Sequence, residues 1–428
     1  MIPYKSILTV IVVLLSSIAS VGQDLDFYIQ SAIKNSPLIQ DNKNQSEAAR
    51  LEADRLRALY TKSQVFVTGT YTMAPVINHD NSQSKVEFNP EGPNSYSGYD
   101  IAVSNGGVYQ GLLNFNQPLF NGVRYQTSAQ QVIIGSQINQ NTIQLSIHDL
   151  ERFITDQYIL CLQDYRQADY LAGLIKVITE QTSIVSKLVE GGIAKQSDLS
   201  LLTIEQKTQQ VAYNTFRATY RRDLMDLRVL CGITDTTFQV LSDINLQPHE
   251  MVKTSGFTER YRLDSLNLLA AQKIFELKYK PQVSLFANGG LNAVYAPTIP
   301  NRLGVSAGLN LTINLTDGRQ REISRQRTDV LTRTTKSYKD FFYNQNAVRK
   351  GRILAEVKSL DERYVLAQDQ LKEYAKLLEF YKQELMRGQI SVINYITTLK
   401  NLALLQRDIV ILKTNRESLI NLYNYWNW

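Results

Sequence analysis

Four segments of the chain alternate apolar and polar residues with a period of two, and in all four the apolar residues carry odd numbers. In the first, Val65, Val67, Gly69, Tyr71 and Met73 alternate with Gln64, Thr68, Thr70 and Thr72, and Phe66 interrupts the polar set. The second sets Tyr109, Gly111, Leu113 and Phe115 against Gln110, Asn114 and Asn116. The third sets Val283, Leu285, Ala287, Gly289 and Leu291 against Gln282, Ser284, Asn288 and Asn292, with Phe286 as the exception. The fourth is the most regular: odd positions from Leu303 to Leu315 are apolar, and even positions from Gly304 to Thr316 are Gly, Ser, Asn and Thr, including Asn310, Thr312 and Asn314. Such alternation predicts strands with one apolar and one polar face.

Between and after these pairs the period changes to that of a helix. Ile147, Leu150, Ile154, Tyr158, Cys161, Tyr165, Ala168, Leu171, Ile175 and Ile178 step by three or four. So do Phe342, Leu354, Val357, Leu360, Tyr364, Leu371, Tyr374, Leu378, Tyr381 and Leu385, with some turns skipped. Each predicted helix runs for some 70 residues, or roughly 105 Å if unbroken. Gly192 and Gly388 suit the left-handed position that ends such a helix. Ser197 and Ser391 then read as caps of return helices over residues 197–230 and 391–425, packed back as coiled coils. Shorter helical segments precede the strand pairs, at 25–59 and 258–279, and Pro37 should break the first near Ser36.

The spacing of glycines shows that these parts occur twice. LNFNQPLFNG ends at Gly122 and LNLTINLTDG ends at Gly318, 196 residues later; Gly192 and Gly388 are also 196 apart. From Gly192 to Gly232 is 40 residues, as is Gly388 to Trp428. A duplicated unit follows, with a first repeat over 23–232, a polar linker over 233–257 and a second repeat over 258–428.

Lys5, an apolar run from Ile7 to Leu15 and small residues to Gly22 describe a secretory signal peptide over 1–22, with Gln23 as the mature terminus. The alternative is an uncleaved anchor, but the run is short of the ~20 apolar residues that a spanning helix needs. The formal charge of +6 is spread thinly, without a basic block, which argues against nucleic acid as a partner. Cys161 and Cys231 could pair in an exported chain, yet each sits in an apolar helical pattern and reads more simply as a small buried residue. No cluster has metal-ligand spacing, no nucleophile–base set or phosphate loop appears, and no cofactor is expected.

Any one of the four strands alone fits a soluble sheet on a core. Together they are long enough to cross a bilayer when tilted, and their polar faces are nearly free of charge, as a water-filled lumen requires. The mature chain has no long apolar run, so in a membrane only a closed barrel would satisfy its backbone. Four strands cannot enclose an open lumen, since about eight already fill theirs with side chains. The chain must then pool strands with copies of itself, in a number the pattern leaves open. Residues 74–105, rich in Asn, Ser, Gly and Pro, read as a long solvent-facing loop without strand period; its counterpart near 296–301 is short.

With NSPLI (Asn35 to Ile39), QPLFNG (Gln117 to Gly122), PQVSL (Pro281 to Leu285) and the two glycine turns in this order, nearly the whole mature chain resembles the TolC-type outer-membrane efflux proteins. The resemblance implies a mixed α/β membrane protein: a trimeric twelve-stranded β-barrel, four strands per chain, continuous with a helical coiled-coil tunnel in the periplasm of a Gram-negative bacterium. It implies a passive exit duct for small molecules or proteins, in efflux or type I secretion. Its partners would be outer-membrane lipid, a periplasmic adaptor protein and an inner-membrane transporter. Lumen-facing positions would be Asn114, Asn116, Asn288, Asn310, Thr312 and Asn314.

Well-known members of that family carry two aspartates after the second glycine turn, where this chain has Asn394 and Thr397. An acidic ring there is therefore not expected. The constriction candidates are Asn394 and Thr397, Tyr395 beside them, and Asp198 of the first turn; the alternative is that they only cap or pack the return helices. Two other readings compete. A periplasmic adaptor or coiled-coil scaffold has one hairpin flanked by soluble β domains, and a trimeric surface adhesin places its strands at the C-terminus, which here is helical.

Overall fold

A computed structural model of the protein describes residues 24–88, 94–99, 107–252 and 254–428. The expected signal peptide at 1–22, the mature terminus Gln23 and part of the 74–105 loop lie outside the described residues. The chain opens with α1 (Leu25–Asn35) and α2 (Pro37–Thr61), separated where Pro37 forces Ser36 into extended backbone. Asp24 caps α1 by accepting the Phe27 N–H at 3.0 Å. Then come β1 (Gln64–Met73), β2 (Val76–Asn78), β3 (Lys85–Glu87), β4 (Tyr96–Ser97) and β5 (Gly107–Leu119). The 69-residue α3 (Gly122–Glu190) and the return helix α4 (Gln196–Leu230) follow. The second half runs α5 (Glu259–Glu276), β6 (Gln282–Ala293), β7 (Leu303–Thr312), the 67-residue α6 (Gln320–Met386) and α7 (Val392–Trp426).

Residues up to Asn42, Asn141–Glu259 and Lys339–Trp428 form one compact unit; Lys43–Gln140 and Arg260–Tyr338 form another. Each therefore draws on both halves of the chain.

Of the three helical cores among the described residues of the first unit, two are large. In one, Tyr28 and Ala32 of α1, four residues apart and so on one face, pack on Ile154, Tyr158, Cys161 and Leu162 of α3 and on Tyr220, Leu224 and Leu227 of α4. In the other, Leu171, Leu174, Ile178 and Val185 of α3 meet Leu202 of α4, Leu385 of α6, and Val392, Tyr395, Ile396 and Leu399 of α7. Each such side chain contributes about 1.5–3 kcal/mol when fully buried.

The linker after α4 has no regular structure over residues 233–252, yet side chains hold it in place. Tyr158 donates to the Ser242 carbonyl at 2.8 Å, and Tyr220 donates to that of Gln239 at 2.6 Å. Asp243 accepts from Arg166 and Lys413, and Arg166 also grips the buried Glu417 of α7 at 2.9 Å. Asn35, at the end of α1, donates to the carbonyls of Cys231 and Gly232 and so closes the C-terminus of α4. Both cysteines are buried free thiols.

In the second unit, β1, β5, β6 and β7 form one antiparallel sheet in that order. One departure from the sequence reading appears beside it. The 74–105 loop is not without strands: β2 lies between β3 and β4 in a three-stranded sheet over the buried Ala74 and Val76. The His79 ring bonds the Ser84 and Ser97 hydroxyls, and Asp80 accepts the Asn94 and Ser95 N–H groups. Strands of two or three residues are too short to show a period. Near β6, Glu276 of α5 is gripped by Arg325 at 2.6 Å and Arg321 at 3.1 Å of α6, which hold its carboxyl down at about 2.

Candidate functional site

The register of the four-stranded sheet sets odd residues against odd and even against even in every pair, so all four strands share two faces. One even row runs Phe66, Asn114, Asn288, Ser306; the next runs Gln64, Asn116, Phe286, Gly308. Polar side chains bond across strands: Asn114 donates to the Thr68 hydroxyl at 2.8 Å, and Ser306 donates to the Asn288 side-chain amide oxygen (Oδ1) at 2.7 Å. Asn310 stands opposite Ser284, and Thr312 opposite Gln282. No residue of these strands is ionisable except the tyrosines Tyr71 and Tyr109, whose rings meet on the odd face with centroids 5.0 Å apart and planes tilted by 35°.

The odd face is apolar and open. Val305 is 90% exposed, Leu303 77%, Val67 76% and Leu309 68%. A sheet on a soluble core buries its apolar face; this one presents it. Among the described residues, the two outer strands, β1 and β7, each keep one edge without a partner within the chain.

Two strand readings are corrected. Asn314 does not belong to the sheet: β7 ends at Thr312, because its partner β6 begins at Gln282, and Asn314 instead donates to the Lys278 carbonyl at 2.7 Å. Leu112 lies on the even face, an apolar member that the alternation had passed over.

The helical turns form the other candidate region. Gly192 and Gly388 adopt φ of +71° and +68°. In both turns the residue after the glycine donates five residues back, Ile193 to the Leu188 carbonyl and Gln389 to that of Glu384, which closes the helix in the left-handed capping motif. The turns adjoin, since a Cβ on Gly388 would lie 3.6 Å from Ile193 Cγ2. Ser391 caps α7 by accepting the Ile393 N–H at 3.2 Å. Ser197 does not cap α4; that helix starts earlier, with Asp198 accepting the Lys195 N–H at 3.3 Å.

Asn394 and Thr397 are exposed and lie three residues apart on one face of α7, where Thr397 donates to the Ile393 carbonyl. Tyr395, expected beside them at an opening, is 2% exposed and belongs to the core between the helices. Sequence position alone could not separate it from its neighbours.

The periodicity also missed a pair of buried carboxyls. Asp164 of α3 and Asp223 of α4 face each other beside Cys161, with Arg222 at 2.8 Å from Asp223 and Asp226 on the same helix. Burial, and then the neighbouring carboxylate, raise Asp164 well above the ordinary range. The folded chain thus keeps a proton that the unfolded chain releases near pH 4. The stabilisation is full below that value and is lost as pH rises towards neutrality. We expect Asp164→Asn to flatten the fall in Tm between pH 4 and 7.5, read by circular dichroism in detergent; a slope equal to the parent's would count against a proton retained on Asp164.

No family model matches the sequence, and no curated protein matches it. Solved structures do. The Campylobacter jejuni CmeC outer membrane channel aligns with a TM-score of 0.67 at 12% identity, over 95% of this chain and 86% of CmeC. The Vibrio cholerae outer membrane protein VceC aligns with a TM-score of 0.69 at 13% identity, over 94% of this chain and 96% of VceC. The open-state Neisseria gonorrhoeae MtrE outer membrane channel gives 0.64 at 11% identity, over 96% of this chain and 93% of MtrE. The fold is that of the TolC-type outer-membrane channels.

Proposed function

We propose that this chain is one protomer of a passive duct through the outer membrane of a Gram-negative bacterium, serving efflux or type I secretion. The observation that carries the proposal is the sheet with an exposed apolar odd face and an uncharged polar even face. Odd residues meet lipid and even residues line water. The free edges of β1 and β7 pair between copies, and three copies give a twelve-stranded barrel whose backbone is fully bonded. Residues 1–22 direct export. Residues 23–232 and 258–428 are two copies of one unit joined by the linker 233–257, and the long helices of three protomers make the periplasmic tunnel. Asn394 and Thr397, with Asp198 across the neighbouring turn, line its inner end, and Tyr395 props the helix that carries them. A periplasmic adaptor and an inner-membrane transporter supply cargo and energy, so the duct performs no chemistry.

Fractionation tests this reading. The protein should extract with detergent from the outer membrane as an oligomer of about three chains that heat dissociates on a gel, and it should conduct ions in a planar bilayer. Recovery as a soluble periplasmic protein would favour the adaptor reading instead.

A further inference from the structure

Apart from Val108, Leu112 and Pro118 of β5, two phenylalanines break the polar pattern of the even face, at matching places in the sequence. Phe66 stands three residues before Gly69 on β1, and Phe286 stands three residues before Gly289 on β6. Both the phenylalanines and the glycines are 220 residues apart. That interval exceeds the 196 of the later glycines by 24, the amount by which the connection between β1 and β5 outruns that between β6 and β7. The two rings therefore match in sequence between the two halves, although their strand pairs are offset by two residues: Phe66 faces Asn114, and Phe286 faces Gly308 rather than Asn310.

Their surroundings are those of a contact surface rather than a core. Phe66 is 47% exposed and Phe286 is 37% exposed. Phe66 faces Asn114 across the strand pair, and Phe286 lies between Asn116 and Gly308. The Phe286 ring extends over Gly308: a Cβ built there would sit 2.9 Å from its Cζ. The ring thus lies along the wall, over a residue with no side chain to displace it. Around both rings the face offers amides and hydroxyls, several already bonded to each other. A water-lined wall gains nothing in stability by exposing two aromatic rings.

We propose that Phe66 and Phe286 are the specificity surface of the duct, where cargo bearing an aromatic or other flat apolar group rests against the lumen wall. This rests on the duct reading, which makes the even face the lumen. The rings offer a stacking face and, with no fixed charge nearby, accept an organic cation through the ring quadrupole. The remaining amide wall binds such cargo no better than water does, so the contact is weak enough to release it.

The test uses the assembled full-length protein in a planar bilayer, with tetraphenylphosphonium as probe and tetramethylammonium as a ring-free control of equal charge. Block is read as a fraction of each protein's own open current. Tetraphenylphosphonium should block the parent, and F66N/F286N should need about tenfold more of it, while the control ion should act alike on both. If the asparagine variant fails to assemble, F66L/F286L keeps the apolar bulk and should still weaken the block about threefold. Equal block in parent and variants overturns the inference and leaves the duct standing. A parent that assembles without conducting overturns both.

Discussion

Leu309→Arg should abolish recovery of the assembled oligomer from the outer membrane, while Asn310→Arg at the next residue should leave it nearly at the parent's level. Leu309 is 68% exposed on the odd face, opposite Leu285. Asn310 is on the even face, opposite Ser284. A guanidinium on the lipid side of a barrel costs about 2–4 kcal/mol at the midplane. Every copy in the oligomer carries that cost, against a total stability of about 5–15 kcal/mol for an ordinary domain. The same group in a water-filled lumen stays hydrated. The readout is the amount of heat-sensitive oligomer extracted from outer membranes. Equal yields from the two variants would mean that the faces are not divided between lipid and water.

Gly290→Ala should separate β5 from β6. Gly290 has φ of +155°, where side chains are strained, and stands opposite Leu112 and Gly304. A Cβ there would lie 2.1 Å from the Gly111 carbonyl oxygen. That neighbour is backbone, so no rotamer change relieves the clash. Backbone strain of about 1–3 kcal/mol adds to an overpacking cost of about 1–3 kcal/mol. Gly69→Ala is the control, because its Cβ would meet nothing within 4 Å. The temperature at which the oligomer dissociates in detergent should fall by far more for Gly290→Ala than for Gly69→Ala. A similar small change in both would contradict the close backbone approach.

What could be read from the chain was whatever depends on local geometry. The odd–even parity from Val65 to Leu311 survived because a strand's period is fixed by its backbone. Pro37 and the two turn glycines act through their own dihedral angles, and they stand where expected. Features set by distant partners were not legible. Asn314 looked like one more strand residue until the start of β6 determined where pairing stops. Tyr395 and Asn394 are adjacent in sequence, and only the helices packed on α7 decide which one is buried. The contact of Asp164 with Asp223 joins positions 59 residues apart that no periodicity links. Asn35 was noticed as part of a motif, but its role in closing α4 needs the chain 196 residues further on.

Cysteines placed singly at positions 303–312 offer the most direct test, read by a membrane-impermeant maleimide on the protein in its native membrane. The resident thiols give little background, since burial pushes Cys231 up to about 12 and Cys161 higher still. Labelling at 304, 306, 308, 310 and 312, with protection at the odd positions between them, is the outcome that follows if one side of this strand bathes in solvent and the other in acyl chains. Uniform reactivity along β7, or reaction at the odd positions alone, would refute it.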